Sequence, residues 1–198
     1  MIGQTWLLPA LPKLSSRHFL LDQMPKKSVC AEVGVHKGDF SQLILKIVKP
    51  IELHLIDPWK YETEEKYSRS WYGGATGGSQ KLLDDRYQGV TKRFHKQIQA
   101  GTVTVHRLGS IEAVRQFADR SLDWVYIDGN HLYPFVLDDL TNWAQKVKPG
   151  GFITGDDYGE VGWWEDGVTR AVDDFVKDHS QKLELKTRNG QFILKIPA

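Results

Sequence analysis

The sequence predicts an α/β fold: a doubly wound, mostly parallel sheet that ends in an antiparallel hairpin. Three observations predict it. From residue 28 onward, short apolar runs alternate with amphipathic stretches, the pattern of strands that cross over through helices. The first apolar run ends in a glycine turn at Gly34. Near the end of the chain, Asn189-Gly190 sits between two apolar runs, the strongest short hairpin signal.

Each element follows from its own residues. Strand one covers residues 29–34, and the helix after it carries Phe40, Leu43, Ile44, Ile47 and Val48 on one stripe until Pro50 ends it. Strand two covers 52–57 and is stopped by Pro58. Strand three covers 102–108, and Ser110 is a natural N-cap for the helix bearing Ile111, Val114, Phe117 and Ala118. Strand four covers 122–128; its helix accepts Pro134 in the first turn and presents Val136, Leu140, Trp143, Ala144 and Val147. Residues 148–151 form a tight turn into strand five at 152–155, and a last helix presents Val168, Ala171, Val172, Phe175 and Val176. Residues 183–187 and 191–196 are the closing hairpin.

The 198 residues fit one domain. Residues 28–198 form its body, and residues 1–27 a preceding segment suited to a substrate cap or a homodimer contact. Residues 60–80 carry no clean period and mix glycines with Trp71 and Tyr72, so they read as a lid over a site, with a plain surface loop as the alternative. With 26 Lys+Arg against 25 Asp+Glu, bulk charge gives no reason to expect a nucleic-acid partner. A single cysteine, Cys30, excludes an internal disulfide framework and a cysteine-rich zinc site. No stretch approaches the length of a membrane span, and the N-terminus lacks a basic leader, so a cytoplasmic protein is expected.

Open parallel sheets bind ligands at the carboxyl ends of their strands. Asp57, Asp128, Asp156 and Asp157 all follow strands at that edge, with Glu32 just before the first turn. Any one of these acids could cap a helix or a turn; their joint delivery to one crevice points to function. The turn Glu32-Val33-Gly34-Val35-His36-Lys37-Gly38 is not a dinucleotide fingerprint, because His36 and Lys37 stand where that motif wants glycine. Asp57 is placed to accept from ribose hydroxyls. Trp59 reads as a wall for adenine, as a contact for the lid or as a core residue, and Trp163-Trp164 either as a flat wall for an acceptor or as loop anchors. Asp138-Asp139 and Asp173-Asp174 are expected on solvated helix faces.

Together the turn at 32–38, Asp57-Pro58-Trp59, Asp128-Gly129-Asn130-His131, Lys148-Pro149-Gly150-Gly151 and Gly155-Asp156-Asp157 resemble class I S-adenosylmethionine-dependent methyltransferases, which have a Rossmann-like fold. The resemblance is nearest to the branch of metal-dependent small-molecule O-methyltransferases and spans about residues 28–198. It implies that Glu32, Gly34 and Gly38 hold the methionine part of S-adenosylmethionine, that Asp57 binds its ribose and that Ser110 lies near the adenine. It further implies Asp128, Asp156 and Asp157 as ligands of magnesium or another divalent cation, with Asp128 also beside the cofactor, and His131 as the base. Three positions depart from the family pattern: His36 replaces a frequent glycine, Phe40 stands where some relatives have serine, with Ser41 next to it as the substitute, and Asp157 stands where catechol enzymes usually offer an asparagine as the third metal ligand. Hard oxygen ligands suit magnesium, a bound cation lowers the pKa of an acceptor hydroxyl, and a histidine can take its proton.

The expectation is an S-adenosylmethionine-dependent O-methyltransferase acting on a small sugar-like or catechol-like acceptor. Two alternatives stay open: the same transfer to oxygen or nitrogen without metal, and a nucleoside-binding protein without turnover.

Overall fold

The computed structural model describes residues 13–74, 78–179 and 183–197, with the backbone alone for residues 13–15. Seven strands form one sheet in the order β3-β2-β1-β4-β5-β7-β6. They are β1 (Val29–Val33), β2 (Glu52–Ile56), β3 (Val103–His106), β4 (Leu122–Ile127), β5 (Val147–Tyr158), β6 (Glu184–Arg188) and β7 (Gly190–Lys195). The first five run parallel, and β7 pairs antiparallel with both β5 and β6. The doubly wound sheet with its closing hairpin is thus present. Strand order reverses between β1 and β4, the place where such sheets bind ligands.

Alternation along the strands divides the core between two faces. Cys30, Leu53, Leu55, Trp124 and Tyr126 point to one side, where they meet α1 (Lys13–Gln23), α2 (Asp39–Ile47) and α3 (Gln80–Arg93) through Leu20, Leu21, Phe40, Ile44, Leu83 and Val90. Ala31, Val33, Val125, Ile127 and Ile153 point to the other, against α5 (Ser110–Val114), α6 (Tyr133–Ala144) and α7 (Gly167–Asp178). A short α4 (His95–Gln99) leads into β3. No helix among the described residues is long and apolar enough to cross a membrane.

The hairpin forms as its residues require. Asn189 and Gly190 both have positive φ, 45° and 82°, the twist that lets a two-residue turn follow the strands, and Arg188 pairs with Gln191.

Several expectations need correction. Helices α1, α3 and α4 were not anticipated, although Leu83, Tyr87, Val90 and Phe94 form a helical stripe. Residues 148–151 do not end a turn before strand five: they lie within β5, where the pairing with β4 shifts register between Leu122 and Trp124. Ser110 is the first residue of α5 rather than its cap; Gly109 precedes the helix and Ser110 makes no capping bond. Asp139 is buried, not solvated, because it shares the inner face of α6 with Val136, Leu140 and Trp143.

The anticipated lid contains a 3-10 turn at Glu65–Tyr67 and buries Tyr67 and Ser70, and Glu62 N–H donates to the Tyr72 carbonyl. Residues 75–77 within it lie outside the described residues, as do residues 1–12 of the N-terminal segment. The rest of that segment forms α1, which packs on α2 and β7.

Candidate active site

The carboxyl ends of β1, β2, β4 and β5 open into one cleft of about 770 Å³. Glu32, Gly34, Asp57, Trp59, Ser110, Asp128, His131, Asp156 and Asp157 all line it. The four strand-end aspartates therefore do converge. Gly38 and Ser41 stand behind this wall rather than in it.

The β1–α2 turn is shaped by close packing. A Cβ on Gly34 would fall 1.9 Å from the Asp128 carbonyl oxygen, and one on Gly38 would fall 2.6 Å from the Phe94 ring. His36, in the position often held by glycine, takes φ 54°. Its strain is offset by bonds to its backbone: its N–H donates to Asp57 Oδ2 at 2.9 Å, and its carbonyl accepts from the Trp59 indole at 2.9 Å.

Asp57 also accepts from Val35 N–H (3.1 Å) and Trp59 N–H (2.7 Å). Burial raises its pKa, and these three amides act against the rise. The carboxylate thus ties the turn to β2 and keeps part of its acceptor capacity for a ligand. Trp59 is buried and faces Tyr87, a prop under the turn. Ser41 donates to Glu32 Oε2 at 2.5 Å, and burial pushes the Glu32 carboxyl up to about 8 despite that bond.

At the other end, Trp143 donates its indole N–H to Ser110 Oγ at 2.8 Å, and Ser110 bonds Asp139 Oδ1. Burial pushes Asp139 up to about 7. Sequence reasoning missed Asp139, although its spacing from Val136 and Trp143 placed it on the buried stripe. The cleft also takes in Arg17 from α1 and Arg86 from α3, two helices outside the elements the sequence predicts.

The acids at the β4 and β5 ends divide into two groups. Arg17 Nη2 donates to Asp156 Oδ2 at 2.6 Å and to Asp128 Oδ2 at 2.9 Å. Asp156 Oδ1 accepts from Gln191 Nε2 at 2.5 Å and from Asp157 N–H at 2.9 Å. His131 Nε2 lies 2.7 Å from Asp157 Oδ2 and 3.4 Å from Asp128 Oδ1. Burial by itself would lower the His131 pKa, but the two carboxylates prevail and hold the imidazolium up to about 9. Asp157 has φ 62°, an uncommon backbone for a non-glycine residue.

One ligand atom each from Asp128, His131 and Asp157 lies within 4.8 Å of the others. This grouping takes in His131 and leaves out Asp156, whose carboxylate is engaged with Arg17 and Gln191. Two carboxylates and an imidazole suit a transition-metal dication better than magnesium, which prefers oxygen throughout.

Aromatic side chains wall the acceptor end. Trp163 meets Tyr67 and Tyr72 with ring centroids 5.8 and 6.0 Å apart, and Trp164 lies 4.6 Å from His131. Tyr67 Oη accepts from Asn130 Nδ2 at 3.0 Å, tying the lid to the loop that carries His131. Among the described residues, seven buried side-chain polar atoms lack a hydrogen-bond partner. Six belong to cleft residues: Arg17 Nε, His36 Nε2, Tyr72 Oη, Arg86 Nε, His131 Nδ1 and Trp164 Nε1. Such groups are costly unless a ligand or water meets them, so the cleft is built to be filled.

A cleft at the switch point of a doubly wound sheet is where open α/β proteins bind their ligands. Residues 31–158 match the family model described as a methyltransferase domain, and the chain belongs to that family. It is an S-adenosylmethionine-dependent methyltransferase of class I. Comparison with curated proteins finds no match in sequence. Among solved structures, the fold is similar to cofactor-bound Rv0187 from MTB (TM-score 0.63, 10% identity, covering 95% of this chain and 82% of that one). It is also similar to a precorrin-6y C5,15-methyltransferase from Geobacter metallireducens (0.60, 14%, 96% and 92%) and an rRNA methylase from Streptococcus thermophilus (0.60, 11%, 96% and 99%).

Proposed function

We propose that the protein is an O-methyltransferase of a small hydroxylated acceptor, and that His131 receives the acceptor's proton. The observation that carries this reading is the placement of His131 Nε2 against Asp157 and Asp128, beside the aromatic wall of Tyr72, Trp163 and Trp164. When bound, S-adenosylmethionine supplies an electrophilic methyl group on a sulfonium. Glu32 and Asp128 face its cationic amino-acid end, Asp57 its ribose, and Ser110 with Asp139 its adenine. The aromatic wall holds a flat ring or sugar face and excludes water, which aligns the hydroxyl for in-line attack. Asp157 and Asp128 orient the imidazole and stabilise it once protonated. A positive charge entering the cleft weakens the imidazolium's hold on its second proton; Nε2–H stays on Asp157, and Nδ1, which has no partner, is the nitrogen that acts as base.

A second reading is favoured by the convergence of Asp128, His131 and Asp157 within 4.8 Å. These three would hold a transition-metal dication, which would lower the acceptor's pKa by direct coordination. The two readings differ at His131 Nε2: as part of the base the atom keeps its proton for Asp157, and as a ligand it must give that proton up. A panel of phenolic and sugar hydroxyl acceptors, assayed after chelation with EDTA, tests them. Activity that survives chelation supports His131 as base. Activity lost on chelation and restored by manganese or another dication supports the metal. No transfer to any acceptor under either condition would overturn the O-methyltransferase reading.

A further inference from the structure

We propose that His54 and His106 form a binding site for one transition-metal dication of the copper(II) or nickel(II) type, at the edge of the sheet and apart from the catalytic cleft. Neither residue lines that cleft. His54 lies on β2, and His106 ends β3, the last strand on that side of the sheet. The parallel register sets His54 opposite Thr104 and His106 opposite Ile56, so the two imidazoles are diagonal neighbours on one face. Their facing nitrogens, His54 Nδ1 and His106 Nε2, are 3.0 Å apart. The Phe117 ring packs against both, with centroids 4.7 and 5.6 Å away. Oxygens hold the far nitrogens: Glu52 Oε1 lies 3.2 Å from His54 Nε2, and Gln116 Oε1 lies 3.2 Å from His106 Nδ1.

The proton count of this pair calls for a cation. Carboxylate and amide oxygens only accept, so each far nitrogen carries a proton. A neutral imidazole has one proton, and the facing nitrogens then present lone pairs to each other. Two lone pairs at that separation repel unless a positive species joins them. A proton could do so, but burial lowers the pKa of both rings and disfavours it at neutral pH. A metal ion answers the same need, because metal-bound histidines donate their remote N–H to an oxygen partner, as both rings do here. With metal–nitrogen bonds of about 2.0–2.1 Å, nitrogens 3.0 Å apart subtend close to a right angle, the cis geometry of tetragonal copper(II) or nickel(II). Gln116 is exposed, so water reaches the pair and can complete the coordination. Asp57 N–H donates to the His106 carbonyl at 3.2 Å, so the ion clamps the edge strand where β2 delivers Asp57.

Titration of the full chain with copper(II), followed by electron paramagnetic resonance, tests the site. The wild type is expected to bind one ion with two imidazole nitrogens coupled to it. His131→Gln is expected to keep that signal, which separates this site from the cleft. His54→Gln and His106→Gln are each expected to lose it, and Gln116→Leu to weaken binding about tenfold, a usual cost of removing a ligand's hydrogen-bond partner. The ring nitrogen shifts of the wild type, read by NMR, need no variant: zinc(II) is expected to displace one histidine at Nδ1 and another at Nε2. A wild type that binds no copper through two imidazoles would overturn the proposal, and so would a signal that survives in both histidine variants. The same holds if His106 Nε2 carries a proton donated to His54 in the metal-free protein, since a closed neutral chain from Gln116 to Glu52 leaves no lone pairs for a metal. Each of these failures leaves the roles proposed for His131 untouched.

Discussion

His131 Nε2 stands 2.7 Å from the carboxylate of Asp157, a residue with a left-handed backbone. Neither residue is near the other in sequence; the parallel pairing of β4 with β5 brings their loops together. An aspartate that fixes a histidine's orientation suits the general-base role proposed for His131.

His131→Gln should lower kcat by at least about a hundredfold, the usual contribution of a positioned base, while affinity for S-adenosylhomocysteine changes little. Comparable turnover in the variant would remove His131 from the chemistry.

The pH profile follows from the same pair. The folded imidazole is held to about 9, above its ordinary 6.5, so the free enzyme carries the proton below that value. A base must first lose it. In the presence of EDTA, kcat/KM should therefore rise with pH and level off above about 9, and the ascending limb should be absent in His131→Gln.

Asp139 makes a stability prediction. Burial raises its folded pKa to about 7 from an ordinary 3.8, so the folded state binds the extra proton between these values. Stability is then lost as pH rises through that window, with a slope approaching about 1.4 kcal/mol per pH unit from this group. Asp139→Asn should flatten the slope and be the more stable protein at pH 8, as measured by urea denaturation across pH 4–8. An unchanged slope would place the titration elsewhere.

Gly34→Ala should cost more than about 3 kcal/mol, because the new methyl meets the Asp128 backbone rather than a movable side chain. Gly38→Ala should cost about 1–3 kcal/mol, since the Phe94 ring can shift. Thermal denaturation of the two variants gives the order.

The sheet, its hairpin and the convergence of strand-end acids were legible because each rests on a local signal: apolar period, Asn-Gly, an acid after a run of β-formers. Asp139 was legible too, from the buried stripe of α6, but an acid invites a solvated reading. Arg17 was not. Its role depends on where α1 docks, and nothing around it in sequence marks an arginine destined for two aspartates more than a hundred residues away. The same holds for Asp156, whose commitment to Arg17 and Gln191 is a product of tertiary pairing between β5 and β7. Long-range partners, not residue types, decide which of several adjacent acids remain available for chemistry.

A crystal structure of the complex with S-adenosylhomocysteine tests the central claim most directly. The account predicts adenine against Ser110 and Asp139, ribose at Asp57, and the sulfur's free side opening toward His131 and the Tyr72–Trp163 wall. A cofactor bound elsewhere, or one whose sulfur faces away from His131, would contradict it.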